Sequence, residues 1–386
     1  MKILHTSDWH IGKKIGRYDR SEELASVLAE VAKIADSHAV DLVLVSGDIF
    51  DRAAPTVPSM TMAFDALKRL SNDGKRPVVA VAGNHDSGPL LEMFAPFLEP
   101  HNVWMVGEIK PPDEGGVLDI PTPNGRAVVA CFPFLREGRV VEFMDDTGEW
   151  YGQYAERVRR IAGAYDVAVQ ERLGEDGIGI LMAHFMITGV SIRTGEGQRG
   201  ERALHMGEAY AATSHSLAPG FHYVAMGHIH APQAVPGSPV PAQYAGSLLQ
   251  LDFGEAGEEK RVVIVDSEPG APASVTSVPL QQGRKLVRFE GSWADIVSND
   301  ELLDTYLELV LHIETPQPGL LEEVHDRFPY VVKVRLELPE AEAPPSERAG
   351  KAWDELYVDY VEATTGAPPA EALLTAFRSV QEEASG

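Results

Sequence analysis

The chain has 386 residues, of which 44% are apolar, and its formal net charge is −25 at pH 7. This length predicts two or three domains, and the apolar fraction excludes a disordered chain. The single cysteine, Cys131, excludes intramolecular disulfides and thiolate zinc clusters, so any bound metal must use nitrogen and oxygen ligands. The negative charge argues against nonspecific DNA binding by a basic surface, but it allows a nuclease whose positive charge comes from metals or a partner.

The sequence gives no sign of membrane insertion or export. No apolar run approaches the ~20 residues that a bilayer-spanning helix needs. The N-terminal stretch MKILHTSDWHIG contains His5 and Asp8 too early for a signal peptide. We therefore expect a cytoplasmic protein that makes no membrane contact.

Predicted strands and helices alternate over the first hundred residues. Apolar runs predict strands over 1–7, 41–46 and 77–82, and helical spacing of apolar residues predicts helices over 20–38, 56–70 and 89–98. This alternation is typical of βαβ units, which build a mainly parallel sheet covered on both faces.

The following segments predict more strands than one sheet accommodates. They read RAVVACFPF, GIGILMAHF, FHYVAMGHIH, AQYAGSLLQLDF and KRVVIVD, and a polar helix is predicted over 151–172. We expect an α/β fold in which two sheets pack face to face with helices outside.

The composition changes after about residue 280. Residues 281–338 predict a small α+β unit, in which a strand, a helix and a strand follow one another from residue 304. Residues 339–352 are rich in Pro, Ala and charge and predict a flexible linker, and 353–386 predict two helices. The predicted organisation is thus a main domain over 1–280, the small unit, the linker and a helical C-terminal segment.

Polar side chains follow five predicted strands at the point where each strand ends. The carboxyl edge of a parallel sheet is where open α/β folds bind ligands, so we expect these side chains to meet. The candidate ligands are Asp8, His10, Asp48, Asn84, His184, His228 and His230.

The set indicates a metal centre more strongly than any member does. A single histidine at a strand end is usually structural, but five strand ends with nitrogen or oxygen donors are hard to obtain by chance. Seven such donors suit two octahedral ions if one carboxylate bridges them, and Asp48 is the natural bridge. Paired ions clamp the attacking hydroxide and the phosphate oxygens of an in-line displacement. Mixed imidazole and carboxylate ligands favour manganese, iron or zinc over magnesium.

This pattern resembles the calcineurin-like metallophosphoesterase superfamily, whose signature reads D-x-H, G-D, G-N-H-D/E, H and G-H-x-H. The chain contains every block in order: Asp8-Trp9-His10, Gly47-Asp48, Gly83-Asn84-His85-Asp86, His184 and Gly227-His228-Ile229-His230. The resemblance implies a two-sheet metallophosphoesterase sandwich that binds two divalent metal ions. It implies that one ion is held by Asp8, His10, Asp48 and His230, and the other by Asp48, Asn84, His184 and His228. His85 would then be the catalytic residue that orients phosphate and donates a proton, and Asp86 would orient His85.

Within the superfamily, the stretches MKILHTSDWHIGKKIG, LVLVSGDIFDRAAPT, VVAVAGNHDS and VAMGHIHAPQ resemble the SbcD family, the nuclease subunits of bacterial SbcCD complexes. The resemblance covers essentially the whole chain. It implies Mn²⁺-dependent cleavage of DNA, as an exonuclease on double-stranded ends and an endonuclease on single strands and hairpins, in DNA repair and recombination. It also implies that 281–338 form a capping domain, that 353–386 bind an SbcC-type ATPase, and that the chain is a homodimer within a heterotetramer.

A local basic patch is the first candidate for DNA contact. It follows the first candidate ligands and consists of Lys13, Lys14, Arg17 and Arg20, and a solvated loop and helix start is an equally good interpretation. Arg193, Arg199 and Arg202, in a Gly-rich stretch after His184, are a weaker candidate.

The two C-terminal helices present short apolar stripes. The stripes that we expect to bind a partner are formed by Trp353, Leu356, Tyr357 and Tyr360 on the first helix and by Leu373, Leu374 and Phe377 on the second. Short helices beyond a linker bury such faces poorly alone, so they either fold back on the capping unit or bind another protein.

Two other functions fit parts of the sequence. A phosphodiesterase for small or cyclic phosphodiesters would use the same ligands, but it rarely needs about a hundred residues after the last ligand strand. A non-catalytic scaffold with this fold would not need a complete ligand set. Activity on a DNA hairpin compared with a generic phosphoester separates the three.

Overall fold

The computed structural model describes most of the chain, in six segments. They are residues 1–136, 154–191, 211–315, 317–338, 352–365 and 368–385. The chain divides into two compact units, 1–311 with 319–335 and 312–318 with 336–386. Among the described residues, no helix is both long enough and apolar enough to cross a membrane.

The β-structure of the described residues comprises long core strands and several two-residue strands. In chain order the strands are β1 (Lys2–Thr6), β2 (Lys14–Ile15), β3 (Tyr18–Asp19), β4 (Leu42–Ser46), β5 (Val78–Val81), β6 (Val103–Val106), β7 (Val117–Thr122), β8 (Gly125–Phe132), β9 (Gly177–His184), β10 (Met186–Ile187), β11 (Ala211–Ala212), β12 (Tyr223–Gly227), β13 (Gln233–Ala234), β14 (Ala242–Tyr244), β15 (Arg261–Asp266), β16 (Ser274–Pro279), β17 (Leu286–Gly291), β18 (Tyr306–His312) and β19 (Val331–Glu337).

The helices fall largely where the apolar periodicity predicts them. They are α1 (Ser21–Ser37), α2 (Val57–Leu70), α3 (Gly88–Leu98), α4 (Tyr154–Leu173), α5 (Trp293–Ile296), α6 (Leu320–Arg327), α7 (Trp353–Thr365) and α8 (Glu371–Ser385). The start of α2 shows how local sequence fixes a boundary. Thr56 caps the helix, because its side chain accepts a hydrogen bond from the amide of Ser59, and Pro58 follows in the first turn.

Two six-stranded sheets form the main architecture. The first has the order β16-β15-β1-β4-β5-β6, and the second has the order β13-β14-β12-β9-β8-β7. Strands β1, β4, β5 and β6 are mutually parallel, as are β14, β12, β9 and β8, while antiparallel strands flank each set. The predicted α/β class and two-sheet sandwich are therefore confirmed.

Strand β4 shows how the sandwich is held together. Every residue of β4 is buried, which is what a strand covered on both faces requires. Leu42 and Leu44 face the core between the sheets, where they join Ile180 and Tyr223 of the second sheet. The alternate residues, including Val43, face a core formed with α1, α2 and α3. A third core lies between the other face of the second sheet and α4.

Some predicted strands are wrong in extent, and several strands were not predicted. The strand expected over 242–253 covers only Ala242–Tyr244, because Gly246 adopts a left-handed φ of 82° and ends it. β7 contains a proline, and β16 is mostly exposed, so neither has the buried apolar run of a core strand. Such edge strands are recognisable only once their partner strand is known.

The segment expected to form the small α+β unit contains a three-stranded sheet of order β17-β18-β19, with α6 between β18 and β19. Its predicted strand, helix and strand match β18, α6 and β19. The proposed linker, 339–352, lies outside the described residues except for its last residue. In the second compact unit, α7 and α8 pack against each other through stacked rings of Tyr357 and Phe377, with centroids 4.1 Å apart.

Candidate metal centre

Loops after neighbouring strands of the first sheet run side by side at one edge. The parallel pairing of β1 with β4 continues beyond the strands, since the amide of Asp8 donates to the carbonyl of Gly47 and the amide of His10 donates to that of Asp48, both at 3.0 Å. These bonds bring the side chains of Asp8, His10 and Asp48 to one place.

The second sheet supplies its residues at the same edge. His184 ends β9 and pairs in register with Gly227, the residue before His228. Nδ1 of His184 donates to the carbonyl of Ser46 at 2.8 Å, and the amide of His228 lies 3.1 Å from Oδ1 of Asp8. Hydrogen bonds thus link the two sheets at the site.

Asp48 lies between two groups of candidate ligands. Its Oδ2 is 3.6 Å from Nε2 of His10 and 3.5 Å from Nε2 of His184. On one side, Nε2 of His10 is 3.1 Å from Nε2 of His230. On the other, Oδ1 of Asn84 is 3.0 Å from Nε2 of His184. A carboxylate in this position can bridge two ions.

All seven predicted ligands converge, and the donor set fits divalent cations. Donor atoms of Asp8, His10 and His230 lie within 4.8 Å of one another, as do those of Asp8, Asp48 and His184. Asn84 Oδ1 also lies 2.9 Å from Nδ1 of His228. Lone pairs packed this closely repel one another unless a proton or a cation lies between them.

The electrostatics of the site favour positive charge. Although burial acts to lower it, Asp48 raises the pKa of His184 well above the usual range of histidine. Burial acts in the opposite sense on Asp48, but His184 and His10 outweigh it and hold the pKa of this carboxyl well below its usual range. The pocket therefore stabilises an anionic carboxylate next to a cation.

The backbone is strained at several candidate ligands. Asp8, His10, Asp48 and His228 have φ values of 51°, 46°, 49° and 95°, in the left-handed region that residues other than glycine rarely adopt. Each such residue costs on the order of 1–3 kcal/mol and persists only where its surroundings impose it. The two sheets therefore fix the ligands in place before any ion binds.

Close packing explains two of the glycines in the motifs by geometry alone. A Cβ on Gly83 would lie 2.0 Å from Oδ1 of Asp48, and a Cβ on Gly227 would lie 1.8 Å from the carbonyl oxygen of Ser46. A side chain at either position would collide with the site.

His85 and Asp86 do not interact as the sequence suggested. The carboxylate of Asp86 accepts hydrogen bonds from the amides of Gly83, Ile49 and Phe50 at 2.9–3.1 Å. This carboxylate therefore connects two loops. The prediction that Asp86 orients the His85 ring is wrong. Nδ1 of His85 lies instead 3.0 Å from the carbonyl oxygen of Asp51. Burial and the charge of Asp48 raise the pKa of Asp86 to about 6.

The predicted basic patch separates into exposed and buried members. Lys14 and Arg17 are exposed, and Lys13 is half-buried with Nζ 3.3 Å from Oδ1 of Asp51. Arg20 is only 1% exposed, and its guanidinium pairs with Glu23 at 3.0 Å. Arg20 is thus wrong as a DNA contact, because its side chain is buried in the protein just before the start of α1.

The weaker basic candidates are the three arginines after His184. Arg193, Arg199 and Arg202 lie outside the described residues.

Two neighbours of the centre were missed from the sequence. Phe134, after β8, stacks on His228 with ring centroids 6.0 Å apart. It could have been found, since β8 is parallel to β9 and ends at the same edge. Oε1 of Glu255 lies 2.9 Å from Nδ1 of His230, and no motif marks it.

Comparison with known proteins places this geometry in a family. The family model of calcineurin-like phosphoesterases matches residues 1–232. The chain belongs to the calcineurin-like phosphoesterases. The match includes every candidate ligand, from Asp8 to His230.

Two curated relatives show to which group of phosphoesterases the chain belongs. The chain is 32% identical to the SbcD component of the SbcCD nuclease of Bacillus subtilis, over 84% of this chain and 82% of that protein. It is 26% identical to the corresponding SbcD protein of Staphylococcus epidermidis, over 77% of this chain and 74% of that protein. The first of these likenesses extends well beyond the phosphoesterase match, and the chain belongs to the SbcD family.

Solved structures add only a weak likeness. A dimetal phosphatase from Danio rerio aligns over 72% of this chain and 98% of its own, with 12% identity and a TM-score of 0.43. This score is too low to support an inference about the chain.

Proposed function

We propose that the chain is a metal-dependent DNA nuclease, the catalytic subunit of an SbcCD-type complex in DNA repair and recombination. It acts as an exonuclease on double-stranded ends and as an endonuclease on single strands and hairpins. The observation that carries the proposal is the convergence of seven residues with nitrogen or oxygen donors, Asp48 at their centre, in a member of the SbcD family.

The proposed centre takes two divalent ions, most favourably Mn²⁺. One is held by Asp8, His10, Asp48 and His230, and the other by Asp48, Asn84, His184 and His228. When bound, the ions supply an activated water nucleophile and neutralise charge on the scissile phosphate. The mixed imidazole and carboxylate set supports manganese over magnesium.

His85 is the proposed proton donor to the leaving oxygen. It is half-buried, as are Asn84 and His228, so substrate phosphate reaches the centre from this side. The carbonyl of Asp51 can only accept, so Nδ1 of His85 carries a proton and the ring is held in one orientation. In the protonated ring, Nε2 donates to a phosphate oxygen of the substrate.

Lys13, Lys14 and Arg17 are the proposed DNA-backbone contacts. All belong to the segment that follows His10, and they offer positive charge in a chain that is otherwise acidic. Phosphate contacts of this kind position DNA without reading its sequence.

The proposed assembly is a homodimer within a heterotetramer that contains two SbcC-type ATPase chains. Helices α2 and α3 contact each other through Phe64 and Phe94, with centroids 4.7 Å apart, and expose the large apolar side chains of Val57, Met93 and Phe97. An exposed apolar surface of this kind supports pairing of two copies through these helices. Such a complex acts on DNA in the cytoplasm.

The C-terminal helices are the proposed ATPase-binding segment, beyond a capping domain over 281–338. Trp353 and Tyr360 on α7 and Leu373 on α8 are 48–68% exposed, although Tyr357 and Phe377 stack on each other. Leu356 and Leu374 belong to the same proposed surface. Apolar residues left exposed after two helices have paired support binding of another protein.

Truncation tests the partner assignment. Removal of the chain after Leu338 is expected to leave manganese binding and single-strand cleavage intact, and to abolish association with SbcC and ATP-dependent cutting of double-stranded ends. Leu373→Asp should weaken copurification with SbcC, whereas Leu321→Asp, at a leucine exposed to a similar extent on α6, should not. Undiminished copurification of the truncated chain would overturn the assignment.

Asp48 and Asp41 provide a matched test of the metal centre. These buried aspartates lie at opposite ends of β4, and Asp41 accepts bonds from the amide of Lys2 and the side chain of Asn124. Asp48→Asn should remove bound Mn²⁺ and Mn²⁺-dependent cleavage of a labelled DNA hairpin together, whereas Asp41→Asn should retain both. Full hairpin cleavage by Asp48→Asn would refute the two-ion centre. If the wild-type protein cleaves a generic phosphoester but not DNA, the result would favour a small-molecule phosphodiesterase.

A further inference from the structure

Glu255 is a buried carboxylate behind the metal centre. It is 3% exposed and lies in a short turn before β15. Its Oε1 is 2.9 Å from Nδ1 of His230, and its Oε2 accepts a hydrogen bond from the amide of Leu251 at 3.0 Å. Both oxygens are thus occupied, and the carboxylate cannot rotate without breaking a bond.

Lys260 fixes the charge of this carboxylate. Its Nζ lies 2.7 Å from Oε2 of Glu255, and the side chain is only 6% exposed. Nζ also donates to the carbonyl of His230 at 3.1 Å and pairs with Glu258 at 2.9 Å. The ammonium therefore binds both the main chain of the candidate ligand and the group that orients its ring.

This arrangement determines which nitrogen of His230 faces the centre. An ionised carboxylate only accepts hydrogen bonds, so Nδ1 of His230 must carry the proton. The lone pair of the ring then lies on Nε2, the atom that is 3.1 Å from Nε2 of His10. A carboxylate behind a ligand imidazole also makes it a more basic, stronger ligand.

The opposite side of the centre is supported differently. Nδ1 of His184 donates to a neutral group, the backbone carbonyl of Ser46, at 2.8 Å. A neutral acceptor orients a ring but adds no negative charge to it. His230 therefore has a charged acceptor behind its ring, whereas His184 has a neutral one.

We infer that Glu255 is a positioning residue that, anchored by Lys260, strengthens His230 as a ligand and so supports the His10–His230 side of the centre selectively. The inference rests on the proposed two-ion function. It predicts that loss of Glu255 weakens one ion and spares the other.

The test counts manganese ions directly. Metal-free full-length protein is titrated with Mn²⁺, and bound ions are followed by electron paramagnetic resonance and calorimetry. Glu255→Gln keeps an acceptor for Nδ1 but removes the charge, and Glu255→Leu removes both. Loss of such a supporting group typically costs 10–100-fold in metal affinity, so we expect about tenfold weakening of one ion for Gln and about 100-fold for Leu. The other ion should keep its affinity.

Reference variants identify the ion that is weakened. It should be the one lost in His230→Gln, and it should differ from the one lost in Asn84→Ala. Glu23→Gln is the matched control, because Glu23 is a buried carboxylate that pairs with Arg20 and accepts from Tyr306. This control should leave both manganese affinities unchanged.

Two results would overturn the inference while leaving the proposed function intact. One is that Glu255→Leu binds both manganese ions with unchanged affinity. The other is that both affinities fall equally, which would indicate a general structural role. If a single variant does not fold, Glu255→Gln combined with Lys260→Met also removes the buried ammonium that Glu255 no longer neutralises, and the same one-ion loss is expected. Wild-type protein that binds no Mn²⁺ would refute the proposed function itself, and the inference with it.

Discussion

Replacement of Gly83 by alanine is the sharpest test of how the centre is built. A Cβ at this position would lie 2.0 Å from Oδ1, 2.3 Å from the amide nitrogen and 2.6 Å from Cγ of Asp48. Ordinary contact begins at 3.4 Å, so the two loops must separate by more than 1 Å. The atoms in the way belong to the backbone and to a buried carboxylate, which cannot swing aside as a flexible side chain could.

The expected cost falls mainly on function. A misplacement on the order of 1 Å at a reacting centre can cost about 10²-fold in rate, and the bridging position of Asp48 makes both ion sites sensitive to it. Overpacking of a core position typically destabilises by about 1–3 kcal/mol. Gly83→Ala should therefore lower Mn²⁺-dependent hairpin cleavage by about 10²-fold or more, with weaker Mn²⁺ binding and a reduced melting temperature.

The chain offers a matched control for this substitution. Gly163 lies within α4, and a Cβ there would meet nothing within 4 Å. Alanine is favoured over glycine in a helix by about 1 kcal/mol, so Gly163→Ala should keep full activity and melt at an equal or higher temperature. Cleavage rate, bound manganese and thermal unfolding are measured for both variants. Wild-type cleavage and manganese binding in Gly83→Ala would refute the packing argument.

Other predictions test single residues. His85→Gln should retain both manganese ions but cut the cleavage rate by about 10²–10⁴-fold, and loss of the metals would instead make His85 a ligand. Arg20→Met removes the nearer of the two guanidinium groups that pair with buried Glu23, while Arg284 remains at 3.4 Å. Urea denaturation should therefore show a loss of about 1.5–3 kcal/mol, while DNA affinity, measured under native conditions, stays unchanged. Burial lowers the pKa of His5 to about 3, so the unfolded chain takes up a proton below about pH 6.5 that the native state refuses. The stability that neutral His5 contributes to the folded state is fully present above that pH and should be about 2 kcal/mol smaller at pH 5. In His5→Gln the loss of unfolding free energy between pH 7 and pH 5 should shrink by that amount, and an unchanged loss would contradict the prediction.

Much of the candidate centre could be predicted from the sequence because it depends on local order along the chain. Each ligand follows an apolar run that reads as a strand, and parallel strands bring their carboxyl ends to one edge. The βαβ pattern of the first hundred residues was thus enough to predict Asp8, Asp48 and Asn84 as ligands. His184 and His228 needed the further expectation that two sheets pack face to face, which the number of predicted strands indicated.

Other features depended on contacts between distant parts of the chain. Arg20 looks like a member of a basic patch, and only the packing of α1 and its bond to the carbonyl of Gln250 make it a core residue. Asp86 is adjacent to His85 in sequence, yet its carboxylate is used by amides of the loop after β4.

Glu255 is the clearest case of a residue whose role the sequence does not predict. It is 25 residues from His230 along the chain, just after a predicted strand and outside every recognised motif. Apolar periodicity records which side chains are buried, but it does not record which polar atoms meet inside. That meeting is decided by where the turn before β15 places one carboxylate, and only the tertiary structure fixes it.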